Sequence, residues 1–134
     1  EGVAGTPLDF RAAKRIGTRI KDPFEQLQMG KGYDHNWVLN SYDRTVRLAA
    51  TVYEPQSGRF MEVLTDQPGL QFYSGNFLNG SLIGKGAIAY EYRTALCLEA
   101  QHFPDSPNKP GFPSVVVKPG EMYRQTTIYK FSTK

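Results

Sequence analysis

Hydrophobic and polar residues alternate over two neighbouring stretches of the chain, residues 45–53 and residues 59–65. A period of two places every second side chain on the same face of an extended strand, so each stretch predicts a β-strand. In the first stretch, one face carries Val46, Leu48, Ala50 and Val52, and the other carries Arg47, Ala49, Thr51 and Tyr53. Residues 54–58 (EPQSG) have the composition of a turn, and the pattern therefore predicts an antiparallel hairpin.

Further strands are predicted at residues 70–73, 95–101 and 122–131, the last with Tyr123, Gln125, Thr127, Tyr129 and Phe131 on one face. Only one helix start is evident, where Asp22 is the predicted N-cap, Pro23 follows in the first turn, and Gly30 soon ends the helix. The loops at residues 74–86 and 103–120 are long and rich in Gly, Pro, Asn and Ser, which is typical of binding sites. Many short strands joined by long loops predict an all-β fold, an antiparallel β-sandwich.

Composition excludes several classes of partner. The chain has 134 residues, enough for one domain, and its net charge of +3 comes from scattered Lys and Arg. The densest basic cluster, in residues 11–21, is interrupted by apolar residues, so we interpret it as a solvated surface and expect no nucleic-acid partner. No apolar run has membrane-spanning length, and no membrane association is predicted. Cys97 is the only cysteine, which excludes an internal disulfide; it is predicted to be a small buried core residue.

One acidic residue, Glu99, stands at the end of an apolar run and just before a polar, proline-rich loop, in residues 96–108 (LCLEAQHFPDSPN). Loss of water around a carboxylate favours its neutral form and makes it a usable proton acceptor. The alternative is a glutamate that faces solvent or forms a salt bridge at a strand end. The residues alone leave both readings open.

Three other segments form, together with residues 96–108, a set of four motifs. They are residues 32–39 (GYDHNWVL), 67–77 (QPGLQFYSGNF) and 119–127 (PGEMYRQTT). Together they resemble the aldose 1-epimerase family, also called galactose mutarotases, from about Gly5 to Ser132. The resemblance covers only the C-terminal part of that enzyme. It implies that residues 1–134 are the C-terminal part of one mutarotase-type β-sandwich (a supersandwich) whose N-terminal part is absent from this chain.

The resemblance also implies roles for three residues. Glu99 matches the general base, although Ala95 and Ala100 stand where glycine and threonine are usual. Asp34 matches a sugar-binding aspartate, with a turn-capping aspartate as the alternative. Gln71 matches a residue that contacts the sugar, with a ladder-facing glutamine as the alternative.

The resemblance implies a catalytic-acid histidine and a sugar-binding histidine, both in the family's N-terminal part, and the two histidines of this chain match neither. His35 follows Asp34 directly, so in a strand its side chain points to the opposite face. His102 lies three residues beyond Glu99 in a loop, where it is a candidate supporting residue. The possible metal ligands nearby lack the spacing of a metal site; they are Asp34, His35, Glu99 and His102. Mutarotation itself requires no metal or other cofactor.

The predicted function is interconversion of the α and β anomers of a free aldohexose, such as galactose or glucose, in hexose metabolism. Two alternatives remain open: a non-catalytic carbohydrate-binding sandwich, and the mutarotase portion of a fused epimerase. The lone cysteine fits a reducing compartment, and a cytoplasmic location is predicted, with an N-terminal signal left open. A truncated sandwich would also expose sheet edges, which predicts self-association.

Overall fold

A computed structural model describes all 134 residues. Six strands are present, namely β1 (Asp34–Val38), β2 (Arg47–Glu54), β3 (Arg59–Thr65), β4 (Gly69–Tyr73), β5 (Cys97–Gln101) and β6 (Thr127–Thr133). The single α-helix, α1, spans Glu25–Met29, and short 3₁₀ turns occur at Ile16–Thr18, Lys85–Ala87 and Ser106–Asn108. None of the helices is long and apolar enough to cross a membrane.

The strands form two three-stranded sheets, one in the order β1-β4-β5 and the other in the order β2-β3-β6. They are mostly antiparallel, which confirms the predicted all-β fold class. The chain divides into two compact units. Unit 1 comprises Glu1–His35 and Phe72–Cys97, and unit 2 comprises Asn36–Gln71 and Leu98–Lys134.

The predicted hairpin is confirmed, because β2 and β3 pair antiparallel from Arg47↔Thr65 to Glu54↔Arg59. The predicted grouping of the β2 side chains on two faces is wrong. The register shifts between Leu48 and Ala50, so Ala49 is the extra residue of a bulge. One extra residue moves the side chains that follow it in the strand to the opposite face of the sheet. Leu48 is therefore 54% exposed, whereas Ala50 is half-buried.

The last strand is shorter than predicted. It pairs with β3 from Thr65↔Thr127 to Arg59↔Thr133, so Tyr123 and Gln125 lie outside it. The ladder stops there because Thr126 is bonded to Asp66 instead. Its N–H donates to Asp66 Oδ2 over 2.9 Å, and its carbonyl accepts from the Asp66 N–H over 3.3 Å.

Two other predictions are corrected. Cys97 is exposed rather than part of the core, because it begins β5, an edge strand of its sheet, which also starts two residues later than expected. The helix begins at Glu25 with Phe24 as its N-cap. Asp22 does not cap it, because its carboxylate is paired with the Arg19 guanidinium at 2.7 Å.

Unit 2 has its core on β3, where Val63 and Thr65 are fully buried. The Thr65 hydroxyl donates to the Thr126 carbonyl over 3.0 Å and accepts from the Gln67 N–H over 3.2 Å, so its burial leaves no polar atom unsatisfied. Large apolar side chains nevertheless remain on the surface of the same sheet, including Phe131 at 74% exposure. Self-association through this sheet stays a prediction.

Candidate active site

Asp34, the predicted sugar-binding carboxylate, is the first residue of β1 and directly follows the most deeply buried aromatic residue of unit 1. Tyr33 is 1% exposed, stacks on Phe72 with ring centroids 5.3 Å apart, and meets the Phe10 ring edge-on at 5.1 Å. Its hydroxyl donates to the Pro7 carbonyl over 3.3 Å, and burial raises the pKa of Tyr33 above its ordinary value. The chain is thus fixed in a packed core immediately before Asp34.

A buried polar network holds the Tyr33 backbone. The Tyr33 N–H donates to Ser74 Oγ over 3.1 Å, and the Tyr33 carbonyl accepts from the Ser74 N–H over 3.0 Å. The Asn76 amide adds a third bond, from Nδ2 to the same carbonyl over 2.8 Å. Because each of these polar groups is satisfied inside the core, the network favours one backbone conformation.

Gly32 makes this arrangement possible. Its φ of +135° is a conformation that side chains rarely adopt, and a Cβ there would lie 2.3 Å from Asn76 Oδ1. A glycine is therefore required two residues before Asp34, both for the backbone turn and for the approach of Asn76.

Gln71 and Glu99 occupy the centres of the neighbouring strands β4 and β5. Gln71 is half-buried, whereas Glu99 is exposed, so the desolvated carboxylate expected from its apolar neighbours is not observed. The reason is the edge position of β5, whose alternate residues Cys97 and Glu99 both face solvent. The backbone beside Glu99 is held by Tyr129, whose hydroxyl donates to the Leu98 carbonyl over 2.8 Å.

Asn36 is a polar residue of this sheet that the sequence interpretation missed. A Cβ on Gly69 would lie 2.6 Å from Asn36 Oδ1 and 3.0 Å from the Phe103 ring, so the amide fills the space over the glycine in β4. Its Nδ2 is buried and makes no hydrogen bond to the protein. The sequence pattern could have indicated it, because Asn36 is two residues from Asp34 and alternate residues of a strand share a face.

A cleft of about 340 Å³ also lies in unit 2. His102 lines it, together with polar and aromatic side chains that include Tyr42, Arg44, Asp66, Gln67 and Tyr123. Glu99 and Gln71 do not line this cleft. His102 is therefore in a pocket, as a supporting residue would be, but in one that is not formed by the predicted base or by Gln71.

The topology distributes the three predicted residues over one sheet. Asp34 is on β1, Gln71 on the central strand β4 and Glu99 on β5. No group of three or more His, Cys, Asp or Glu side chains is placed to hold a metal ion. The side chains present are hydrogen-bonding groups of the kind that bind hydroxyls.

Comparison with known proteins identifies the family. A model of the aldose 1-epimerase family matches residues 1–130. The chain belongs to the aldose 1-epimerase family. The match covers nearly the whole chain, in agreement with the four sequence segments.

Relatives in this family are similar over the same length. The galactose mutarotase of Mus musculus is 44% identical over 130 residues, which cover 97% of this chain and 36% of that protein. The aldose 1-epimerase of Escherichia coli (strain K12) is 39% identical over 133 residues, which cover 98% of this chain and 38% of that protein. The chain thus spans little more than a third of the length of these relatives.

A crystal structure of a GalM/aldose epimerase homologue from C. elegans has a similar fold. It superposes with a TM-score of 0.76 and is 26% identical, covering 98% of this chain and 38% of that chain. The epimerase fold is therefore retained across the aligned region despite a modest identity.

Proposed function

We propose that this chain carries the base and two sugar-binding groups of an aldose 1-epimerase that acts on free aldohexoses. Membership of the family over residues 1–130 supports the proposal most strongly. A second support comes from unit 2, where Gln71 and Glu99 lie on the neighbouring strands β4 and β5.

In the proposed reaction, Glu99 accepts the proton of the C1 hydroxyl while a general acid protonates the ring oxygen. The bond between C1 and the ring oxygen breaks, and C1 becomes an aldehyde carbon. Rotation about the C1–C2 bond and closure in the reverse sense give the other anomer. The base and acid return to their starting protonation states, so no cofactor is consumed. Each general acid or base contributes about 10²- to 10⁴-fold to such a rate.

Asp34 and Gln71 hold the sugar hydroxyls in this proposal. A carboxylate accepts hydrogen bonds from two hydroxyls, and an amide both donates and accepts. Asp34 suits this task because the residue before it, Tyr33, is held in place by buried hydrogen bonds to Ser74 and Asn76. A preformed acceptor loses little conformational entropy when the sugar binds.

The general acid is proposed to come from polypeptide outside this chain. His35 and His102 do not match the place of the family's acid, and both ring nitrogens of His35 already face backbone groups. We therefore expect the isolated chain to be inert or nearly so as a mutarotase.

The competing hypothesis is a sugar-binding module without turnover. The exposure of Glu99 favours it, because the carboxylate faces solvent and not a closed site. The presence of a glutamate at the position of the family's base opposes it, since binding alone needs no base.

Polarimetry of freshly dissolved α-D-galactose tests the proposal. The chain as given is compared with a version extended through any coding sequence that precedes Glu1, and galactose binding by both is measured calorimetrically. We expect the extended protein to hasten the approach to anomeric equilibrium and the short chain to leave the buffer rate unchanged.

Each other outcome contradicts part of the proposal. Activity of the short chain would overturn the external acid and would direct attention to His102. Galactose binding without turnover in both proteins would favour the binding module. The absence of both galactose binding and turnover in the two proteins would overturn the proposed function altogether.

A further inference from the structure

His35 is bonded through both ring nitrogens to the backbone of unit 1. Its Nδ1 lies 3.0 Å from the Asp34 nitrogen, and its Nε2 lies 3.2 Å from the Gln26 carbonyl oxygen. A backbone N–H only donates and a backbone carbonyl only accepts. The two partners therefore fix the tautomer, with a lone pair on Nδ1 and the hydrogen on Nε2.

The ring connects two elements of unit 1. Gln26 belongs to α1, whereas Asp34 begins β1, so the imidazole joins the helix to the start of the strand. Gly30 leaves the room for it, because a Cβ at that position would lie 3.3 Å from His35 Cε1. The imidazole thus holds the Asp34 N–H, while Ser74 and Asn76 hold the backbone of the preceding residue, Tyr33.

The electrostatic surroundings keep the ring neutral. Burial lowers the pKa of His35 below its ordinary value, although the Gln26 carbonyl and the Asp34 carboxylate act in the opposite direction. A proton on Nδ1 would remove the lone pair that the Asp34 N–H uses. The neutral form is the only one that satisfies both backbone groups.

We propose that His35 is a positioning residue that holds the backbone of Asp34 in the geometry that binds the sugar. This inference rests on the proposed function, because it assumes that Asp34 contacts the sugar. It assigns His35 no proton transfer and no contact with the reacting atoms.

Two substitutions separate the two bonds of the ring. In His35→Asn, the side-chain oxygen can occupy the place of Nδ1 and accept from the Asp34 N–H. In His35→Gln, the longer amide can reach the Gln26 carbonyl but has no acceptor at the Nδ1 position. Gln28→Ala, an exposed change in the same helix, is the matched control.

We expect galactose affinity, measured calorimetrically on the protein form that binds, to fall roughly tenfold in His35→Gln, the effect of one lost hydrogen bond. His35→Asn should keep affinity within about threefold of the parent protein, and Gln28→Ala should leave it unchanged. In the active form, the loss in His35→Gln should appear as a raised KM with kcat retained. Equal losses in the Asn and Gln variants would overturn the proposal.

An NMR measurement on the parent protein tests the geometry without any sugar. Long-range ¹H–¹⁵N correlations should show Nε2 protonated and Nδ1 unprotonated at pH 7, and the Asp34 amide should exchange slowly with solvent. A protonated Nδ1 would overturn the proposal even if the variants did not fold. If the tautomer is as expected but Asp34→Asn leaves galactose affinity unchanged, the proposed role of Asp34 fails and the positioning role fails with it.

Discussion

Asp34 and Glu99 are carboxylates on two strands of one sheet, β1 and β5, and their surroundings differ. Asp34 is half-buried and stands between the buried Tyr33 and the imidazole of His35, which accepts its backbone N–H. Glu99 is exposed on the edge strand β5, and the Tyr129 hydroxyl donates to the carbonyl of the preceding residue, Leu98.

This difference suits the two proposed tasks. A binding group gains affinity when its geometry is fixed before the ligand arrives. A general base gains strength when water is excluded around it, and that exclusion can come with the substrate or with a covering segment. For the proposed roles, the backbone of Asp34 is therefore already held in place, whereas we expect Glu99 to act as the base only when it is covered.

The largest expected effect is a loss of mutarotation rate when the proposed base is replaced. In the active form of the protein, Glu99→Gln should lower the polarimetric rate by about 10²- to 10⁴-fold, because the amide cannot accept the C1 proton. Galactose affinity should change little. Glu91→Gln, at another exposed carboxylate, is the matched control. A parallel loss of rate and affinity would mean that Glu99 binds the sugar, and the contrast with Asp34 would disappear.

The next effect is on affinity at the proposed binding residue. Asp34→Asn should weaken galactose binding roughly ten- to hundredfold, since hydrogen bonds to a charged acceptor contribute about 1.5–3 kcal/mol. Isothermal titration calorimetry measures the loss. Asp43→Asn, at an exposed loop aspartate bonded to Thr45, should bind like the parent protein. An unchanged affinity for Asp34→Asn would make Asp34 a turn residue.

A smaller effect is expected on the stability of the segment before Asp34. Gly32→Ala should lower the free energy of unfolding by about 1–3 kcal/mol from backbone strain, with a further cost where the methyl group meets Asn76. Urea denaturation measures the change. Gly111→Ala is the control, because a Cβ at that position meets nothing within 4 Å. Equal midpoints for the two variants would show that this segment is not the rigid anchor that distinguishes Asp34 from Glu99.

The smallest effect concerns pH. Because the folded protein has a lowered pKa at His35, its unfolded state binds more protons below about pH 6.5. Stability should therefore decline as the pH falls below about 6.5, until the folded ring also becomes protonated. Urea midpoints between pH 7.5 and 5 measure this slope, and His35→Gln should make it shallower. An unchanged slope would mean that the ring is not held neutral.

The range from pH 7.5 to 5 lies above the unfolded pKa values of three carboxylates that also affect stability. Hydrogen bonds from Arg11, Thr45 and Ser57 lower the pKa values of Asp9, Asp43 and Glu54, respectively. The stability from these carboxylates is present above their unfolded pKa values near 4 and is lost only under more acidic conditions.

Local patterns were sufficient for the hairpin and insufficient for the faces and ends of strands. Residues 59–65 were predicted as a strand and are β3, because alternation and a turn-forming EPQSG segment are both local. Leu48 and Ala50 were wrongly placed on the same face, because a bulge depends on the partner strand. The start of β6 was missed because the bonds between Thr126 and Asp66 join residues far apart in sequence.

The candidate site divides in the same way. Asp34, Gln71 and Glu99 were selected as candidates from motifs, since motifs record residue type and spacing. The environment of each was not, because exposure depends on strand order, which makes β4 central and β5 an edge. The burial of Asn36 and the hydrogen bonds of His35 likewise depend on the tertiary structure.

The sequence by itself determined the family, the all-β class and the residues available for the chemistry, because these follow from residue type, period and spacing. Only the tertiary structure decided that Asp34 is anchored and Glu99 is exposed. Burial and hydrogen bonding are properties of contacts between segments, and here those contacts join Tyr33 to Ser74 and His35 to Gln26.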